Sequence, residues 1–397
     1  MVHKFVNFGE ICLYLSQNQN VMYRPFVYGT SVSGDNFTDR VVETARIKKN
    51  FSAGINTILI SPRRLGKTSL VKKVISEFDN SDPVIVFMDI YDCRSAHDFY
   101  LRFSQSILKA LSSTTERLME NAKEFLGRLA PRISVSPDMT SEYSLSIGIS
   151  HKDIDPDEIL NLPERIAEKK GMHIVVCIDE FQQIGEFTDS LNFQKRLRGI
   201  WQHQQRTSYC LFGSKKHMME KIFHSKRMPF YMFGDTIYLG TIPEADWISY
   251  VCSRFSTAGI TISEEHAAEI CRKVECYSSY VQQLAWNVMV NADSTVTDAD
   301  VKNGMDFLVS QNEPLYVAKI ENLSSYQLNL LRAICAGVNS GFTSESVLKK
   351  WNLGSKSNVT RIRSALIEKE LIDKRDGKLY ISDPVLRFWL TKYLQKL

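Results

Sequence analysis

A chain of 397 residues, 44% hydrophobic and 24% charged, has the make-up of an ordinary globular protein and is long enough for two or three domains, each with its own buried core. Those proportions exclude a disordered or fibrous chain, and no run approaches the ~20 apolar residues that a membrane span needs. The net charge of +4 is small but uneven: from Asn322 onward thirteen Lys and Arg stand against six Asp and Glu, a balance that suits nucleic-acid contact or a solvated lysine face.

Residues Met1 to Asn20 lack a basic stretch followed by an unbroken apolar run, so no secretory leader is expected. The eight cysteines are scattered singly, and the nearest pair, Cys271 and Cys276, lies within one expected helix rather than at a zinc-ribbon spacing, so they read as reduced, mostly buried thiols of a cytoplasmic protein. Thr57-Ile58-Leu59-Ile60 is a short buried strand entering a Pro/Gly loop. Thr68 to Phe78 then carries Leu70, Val71, Val74, Ile75 and Phe78 at helical spacing. Val84 to Met88 is a second strand, followed by a helix from about Ala96 to Leu111. Residues 112–165 break this rhythm, with Arg132 to Ser136 and Ser144 to Ile149 reading as a small two-stranded insertion. Ile174 to Ile178 and Tyr209 to Phe212 are further strands, separated by an amphipathic helix over Leu191 to Gln204. Continuous β-branched runs alternating with helices imply a parallel sheet covered on both faces.

Trp247 to Met289 is helical throughout. The last residues change pattern again: Ser324 to Cys335, Ser344 to Trp351 and Asn358 to Ile372 predict three helices, and Lys378 to Ser382 a strand after an Asp376-Gly377 turn. Three helices and a β-wing predict a winged helix-turn-helix. The expected division is an N-terminal extension over 1–24, an α/β domain over 25–242 with the insertion at about 112–165, a helical lid over 243–320 and a winged-helix domain over 321–397.

Chemistry concentrates at the first strand-loop-helix. Ser61-Pro62-Arg63-Arg64-Leu65-Gly66-Lys67-Thr68-Ser69 ends in Gly-Lys-Thr, the form a loop takes when its backbone N–H groups cradle phosphate. Gly66 allows close approach, Lys67 neutralises β/γ charge and the Thr68 hydroxyl reaches Mg²⁺. Ser61 stands where the pattern usually has its first Gly. Ile174-Val175-Val176-Cys177-Ile178-Asp179-Glu180 puts two acids at the end of a buried strand, with Asp179 suited to the Mg²⁺ shell and Glu180 to activating water. ATP or ADP with Mg²⁺ are the expected cofactors. The strand ending in Phe212-Gly213-Ser214-Lys215 offers Ser214 to a phosphate or to the attacking water. Arg198 and Arg227 each occupy a plausible arginine-finger position, with surface pairing the competing account for both.

Taken in order, Phe26-Val27-Tyr28-Gly29, Phe37-Thr38-Asp39-Arg40, the Pro-Arg-Arg-Leu-Gly-Lys-Thr-Ser loop, Asp179-Glu180-Phe181-Gln182, Phe212-Gly213-Ser214-Lys215 and Tyr280-Val281-Gln282 resemble the archaeal-type ATPase family, in the STAND branch of AAA+ proteins. The resemblance implies an α/β P-loop core with a helical lid and a C-terminal winged helix, slow ATP hydrolysis, and nucleotide state used as a signalling switch. It further implies that Phe37 to Arg40 flank the adenine, with Arg40 among the nucleotide contacts, and that Tyr280 to Leu284 begin the lid helix. Cys276-Tyr277-Ser278-Ser279-Tyr280 lacks the Pro usual near the base.

Arg63 and Arg64 lie inside the phosphate loop, where phosphate, a neighbouring subunit or acids of the C-terminal domain are open as partners. Lys356, Asn358, Arg361 and Arg363 at the start of the third C-terminal helix suit duplex DNA. The same surface also suits a second copy, a partner protein or the chain's own ATPase domain. Asp383-Pro384-Val385-Leu386-Arg387-Phe388-Trp389 resembles the family's closing segment, expected to dock a terminal helix.

Overall fold

The computed structural model describes residues 24–78, 82–112, 133–137, 143–147 and 155–394. The expected N-terminal extension and most of the insertion at 112–165 lie outside them. Two compact units result: Arg40–Gly240 with Asn329–Ser382, and Met1–Asp39 with Thr241–Leu328 and Asp383–Leu397.

The first unit carries α1 (Val41–Ser52), β1 (Thr57–Ile60), α2 (Lys67–Ser76), β2 (Val84–Asp89) and α3 (Ala96–Ala110). After the hairpin strands β3 (Ile133–Pro137) and β4 (Tyr143–Ile147) come α4 (Pro156–Leu160), α5 (Leu162–Lys170), β5 (Ile174–Asp179), α6 (Ser190–Trp201), β6 (Thr207–Gly213), α7 (Lys216–His224) and β7 (Asp235–Tyr238). Strands β3 and β4 pair antiparallel, as the two-stranded excursion requires. The other five form one parallel sheet in the order β2-β5-β6-β1-β7. Strands β1, β5 and β6 are buried along their whole length, which is why they read as unbroken apolar runs. Helices on the sheet bury Phe99, Phe103 and Trp201, and Trp201 stacks on Tyr209 of β6 with ring centroids 3.9 Å apart.

Strand β7 has no counterpart in the sequence reading. Its Asp-Thr-Ile-Tyr run contains one buried apolar residue, Ile237, and Asp235 at its start is held by polar side chains of α1: Arg46 Nε at 2.8 Å and Asn50 Nδ2 at 2.9 Å. The parallel order has a direct consequence for chemistry. Strand β6 lies between β5 and β1, with Ile60 opposite Gly213 and Ile178 opposite Leu211, so the carboxyl ends of all three strands open on one edge. Ligands of open α/β sheets bind at such an edge.

The C-terminal part of this unit supplies α13 (Glu345–Lys350), α14 (Lys356–Glu368), β8 (Ile372–Arg375) and β9 (Lys378–Ile381), preceded by α12 (Ser325–Cys335). Helix α14 starts and stops earlier than the predicted Asn358 to Ile372. Ser355 caps it by accepting a hydrogen bond from Asn358 N at 3.2 Å, and Glu370, at φ +54, turns the chain into the left-handed region that ends it. Strands β8 and β9 pair as the wing.

In the second unit α8 (Glu244–Thr257), α9 (Glu264–Lys273), α10 (Ser278–Asn291), α11 (Asp298–Glu321) and α15 (Pro384–Leu394) pack around Tyr280, Leu284, Tyr316 and Trp389, all buried. Tyr280 Oη donates to Asp383 at 2.5 Å, and Trp389 Nε1 donates to Glu313 at 3.0 Å, so the terminal helix is docked as its sequence implied. Gln282 Oε1 accepts from Val27 N and Tyr250 Oη, each at 3.2 Å, which accounts for a Gln at this buried position. Among the described residues no helix is long and apolar enough to cross a membrane.

Candidate functional site

The phosphate loop follows β1 directly. Ser61 and Leu65 are buried, Gly66 takes φ +84 as the residue before α2, and the helix opens with no side-chain cap at that position. Gly is required because the left-handed turn would strain any residue carrying a Cβ. The Lys67 side chain curls back along the loop, 2.8 Å from the Pro62 carbonyl and 3.2 Å from both the Ser61 carbonyl and hydroxyl. Burial lowers its pKa to about 8, with Glu180, Asp179 and Glu370 opposing the shift and Arg63 adding to it. The Ser at the usual first Gly therefore contributes two acceptors to the lysine.

Thr68 Oγ1 donates to Asp179 Oδ2 at 2.7 Å, joining the start of α2 to the end of β5 across 111 positions of sequence. These two oxygens stand beside a buried ammonium and a helix N-terminus. That donor set fits Mg²⁺, which takes one or two protein oxygens and completes its shell with phosphate and water. No cluster of three or more His, Cys, Asp or Glu among the described residues forms a metal site by itself.

Glu180 adopts φ +54, rare for a residue with a side chain and found where function imposes it. Its Oε2 accepts from Ser214 Oγ at 2.8 Å and from Gln182 Nε2. Gln182 is the residue that sequence reasoning left without a role. A Cβ at position 213 would lie 1.7 Å from Gln182 Oε1, so Gly213 is what lets this amide reach Glu180. The signal was present in the Asp179-Glu180-Phe181-Gln182 and Phe212-Gly213-Ser214 strings, but only the fold brings the two together.

The remaining arginines have distinct surroundings. Arg198 lies over the Phe233 ring at 4.8 Å, its pKa lowered by burial, and Arg227 is exposed. Arg40 is 4% exposed and bonds backbone carbonyls rather than facing outward. Of the two loop arginines, Arg63 meets an acid of the C-terminal segment: its Nη2 is 3.3 Å from Glu370 Oε2. Nearby Lys216, at the start of α7, is 3.0 Å from Asp373 of the wing, both side chains 21% exposed. On α14, Lys356 and Arg361 are exposed and Arg363 half-buried, whereas the Asn358 amide is spent on the Leu353 carbonyl at 2.8 Å and its oxygen accepts from Arg361 at 3.0 Å.

Burial raises the Asp179 pKa from 3.8 to about 6, against the opposing bonds from Thr68 and the Glu180 amide. A carboxyl whose folded pKa lies above its unfolded one costs stability once pH exceeds both values and nothing below them. In nucleotide-free, metal-free protein, Asp179→Asn should therefore stabilise the fold by roughly 2 kcal/mol at pH 8, allowing for the weaker bonds of an amide. The gain should vanish near pH 4, and denaturant titrations at the two pH values measure it. An equal gain at both would show that charge burial is not its cause.

A family model described as a probable winged helix domain matches residues 314–392. No curated protein matches the chain. Among solved structures it is similar to the Walker-type ATPase paby2304 of Pyrococcus abyssi, at 15% identity and a TM-score of 0.66, over 92% of this chain and 99% of that one. It is also similar to the ORC2 protein of Aeropyrum pernix in its ADPNP-ADP complexes, at 13% identity and a TM-score of 0.54, over 94% and 96% of the two chains. The chain thus shares the fold of these two structures, an α/β P-loop core with a C-terminal winged helix.

Proposed function

We propose that this chain is a Mg²⁺-dependent, slowly turning ATPase of the STAND branch of AAA+, in which bound nucleotide sets the position of the winged-helix segment. Domains over 25–242, 243–320 and 321–397 would then serve as motor core, lid and output. Pro62 to Ser69 bind the phosphates, with Lys67 as the charge partner. Thr68 and Asp179 hold the cation, which when bound supplies Lewis-acid neutralisation of phosphate charge. Glu180 orients and deprotonates the attacking water, and Ser214 keeps Glu180 aimed.

The observation that carries the switch is the pair of contacts from the C-terminal segment to the site, Arg63 with Glu370 and Lys216 with Asp373. Glu370 draws the charge of this loop arginine away from phosphate, so nucleotide and winged helix compete for it. Each partly exposed pair is worth up to about 1 kcal/mol, a clasp strong enough to bias a two-state equilibrium and weak enough to release. Glu370→Gln combined with Asp373→Asn should raise ATP affinity roughly 3- to 10-fold, and by reciprocity ATP should speed proteolysis of the 329–382 segment in the unaltered protein. Unchanged affinity together with unchanged proteolysis would refute the coupling.

Duplex DNA is the proposed partner of Lys356, Arg361 and Arg363, with Asn358 serving the turn rather than a base. The basic C-terminal balance supports it, and a partner protein or second copy is the alternative occupant of the same surface. Retention of these same samples on duplex DNA over a salt series distinguishes the two, since phosphate contacts weaken steeply with salt.

A further inference from the structure

Asp39 and Arg40 take φ +56 and +69, two successive left-handed residues just ahead of α1. That turn sends the Arg40 side chain inward to a site where it is 4% exposed. Its Nη2 donates to the Gly240 carbonyl at 2.7 Å and the Leu65 carbonyl at 3.3 Å, while Nη1 pairs with Glu43 at 3.1 Å. Gly240 reaches this place because β7 runs parallel to β1 and the pairing continues through Leu239 N to the Ile60 carbonyl at 2.9 Å. The chain passes between the two compact units at 39/40 and again at 240/241. Within the first unit, one guanidinium at its first residue therefore holds both the carbonyl that follows β7 and the phosphate loop.

The Leu65 carbonyl belongs to the peptide that carries the Gly66 N–H. In a planar trans peptide the two groups point in opposite directions, so anchoring the carbonyl fixes the direction of the N–H. We infer that Arg40 is a positioning residue of the phosphate loop, acting through the Leu65 and Gly240 carbonyls rather than touching the adenine. The inference rests on the nucleotide-binding reading given above. A planar fork can serve two carbonyls and a carboxylate at once, whereas an ammonium on a flexible stem keeps the charge beside Glu43 but cannot span all three.

The experiment uses full-length protein with Arg40→Lys and Arg40→Ala, a fluorescent ATP analogue, and hydrogen exchange of residues 61–69 in the absence of nucleotide. Arg40→Lys should fold and bind the analogue about tenfold more weakly than the parent protein, and Arg40→Ala about 30-fold more weakly. Loop exchange should be faster in both. Millimolar ethylguanidinium should restore at least threefold of the lost affinity in Arg40→Ala, and ethylammonium at the same concentration should not. Parental affinity and exchange in Arg40→Lys would overturn the inference, as would equal rescue by both cations. If the parent protein failed to bind the analogue, the nucleotide reading would fall, and loop exchange in the Arg40 variants would still decide whether Arg40 positions the loop.

Discussion

The Glu180→Gln variant is expected to bind ATP within about threefold of the parent protein and to hydrolyse it 100-fold or more slowly, in line with the 10²- to 10⁴-fold contribution of a positioned general base. The substitution is close to isosteric, and the Ser214 hydroxyl, which donates to Glu180 Oε2 at 2.8 Å, finds an acceptor equally in an amide oxygen. The left-handed backbone at Glu180 is unaffected by replacing one oxygen with nitrogen. What is lost is the capacity to take a proton from water at the point where β5 and β6 end side by side. Single-turnover phosphate release, measured beside equilibrium binding of the same nucleotide, separates the two steps. Hydrolysis at the parental rate would remove Glu180 from the reaction.

The parts of this site visible in sequence are those built from contiguous residues. Gly66, Lys67 and Thr68 announce a phosphate loop because strand, loop and helix follow one another along the chain, and Asp179 with Glu180 stand out because they end a fully apolar run. The winged helix was legible for the same reason, as local helical periodicity and an Asp376-Gly377 turn. Long-range polar arrangements were not legible. Nothing in the Asp235-Thr236-Ile237-Tyr238 run marks a strand until Arg46 and Asn50 of α1 are seen to hold its first carboxylate. Gln182 had no role of its own in the sequence, and its service to Glu180 depends on the missing side chain of Gly213, 31 positions away. Arg63 had three partners open to it, and only the folded chain brings Glu370, more than 300 residues on, within 3.3 Å. Arg40 was legible as part of a motif but not as a bridge, because both carbonyls it holds are backbone groups that sequence pattern does not display.

Lys67→Ala is expected to abolish measurable ATP binding, a loss of 100-fold or more, because it removes the charge partner of the phosphates and leaves the acceptors of Ser61 and Pro62 facing the site. Lys67→Arg should fare little better, since a larger planar guanidinium cannot take the place of a single Nζ that lies 2.8 to 3.2 Å from all three acceptors. The pH dependence gives a sharper test than the loss itself. With the free-protein pKa brought down to about 8 by burial, Lys67 is charged at pH 7 and increasingly neutral above pH 8. Phosphate favours the charged form, so binding must restore the proton, and linkage makes ATP affinity fall toward tenfold per pH unit above about 8. The proton taken up on binding appears as an enthalpy that varies with buffer in calorimetry near pH 8.5. Affinity that stayed flat to pH 9.5, without proton uptake, would show that Lys67 keeps its ordinary pKa, and that its burial under the loop carbonyls costs the ammonium nothing.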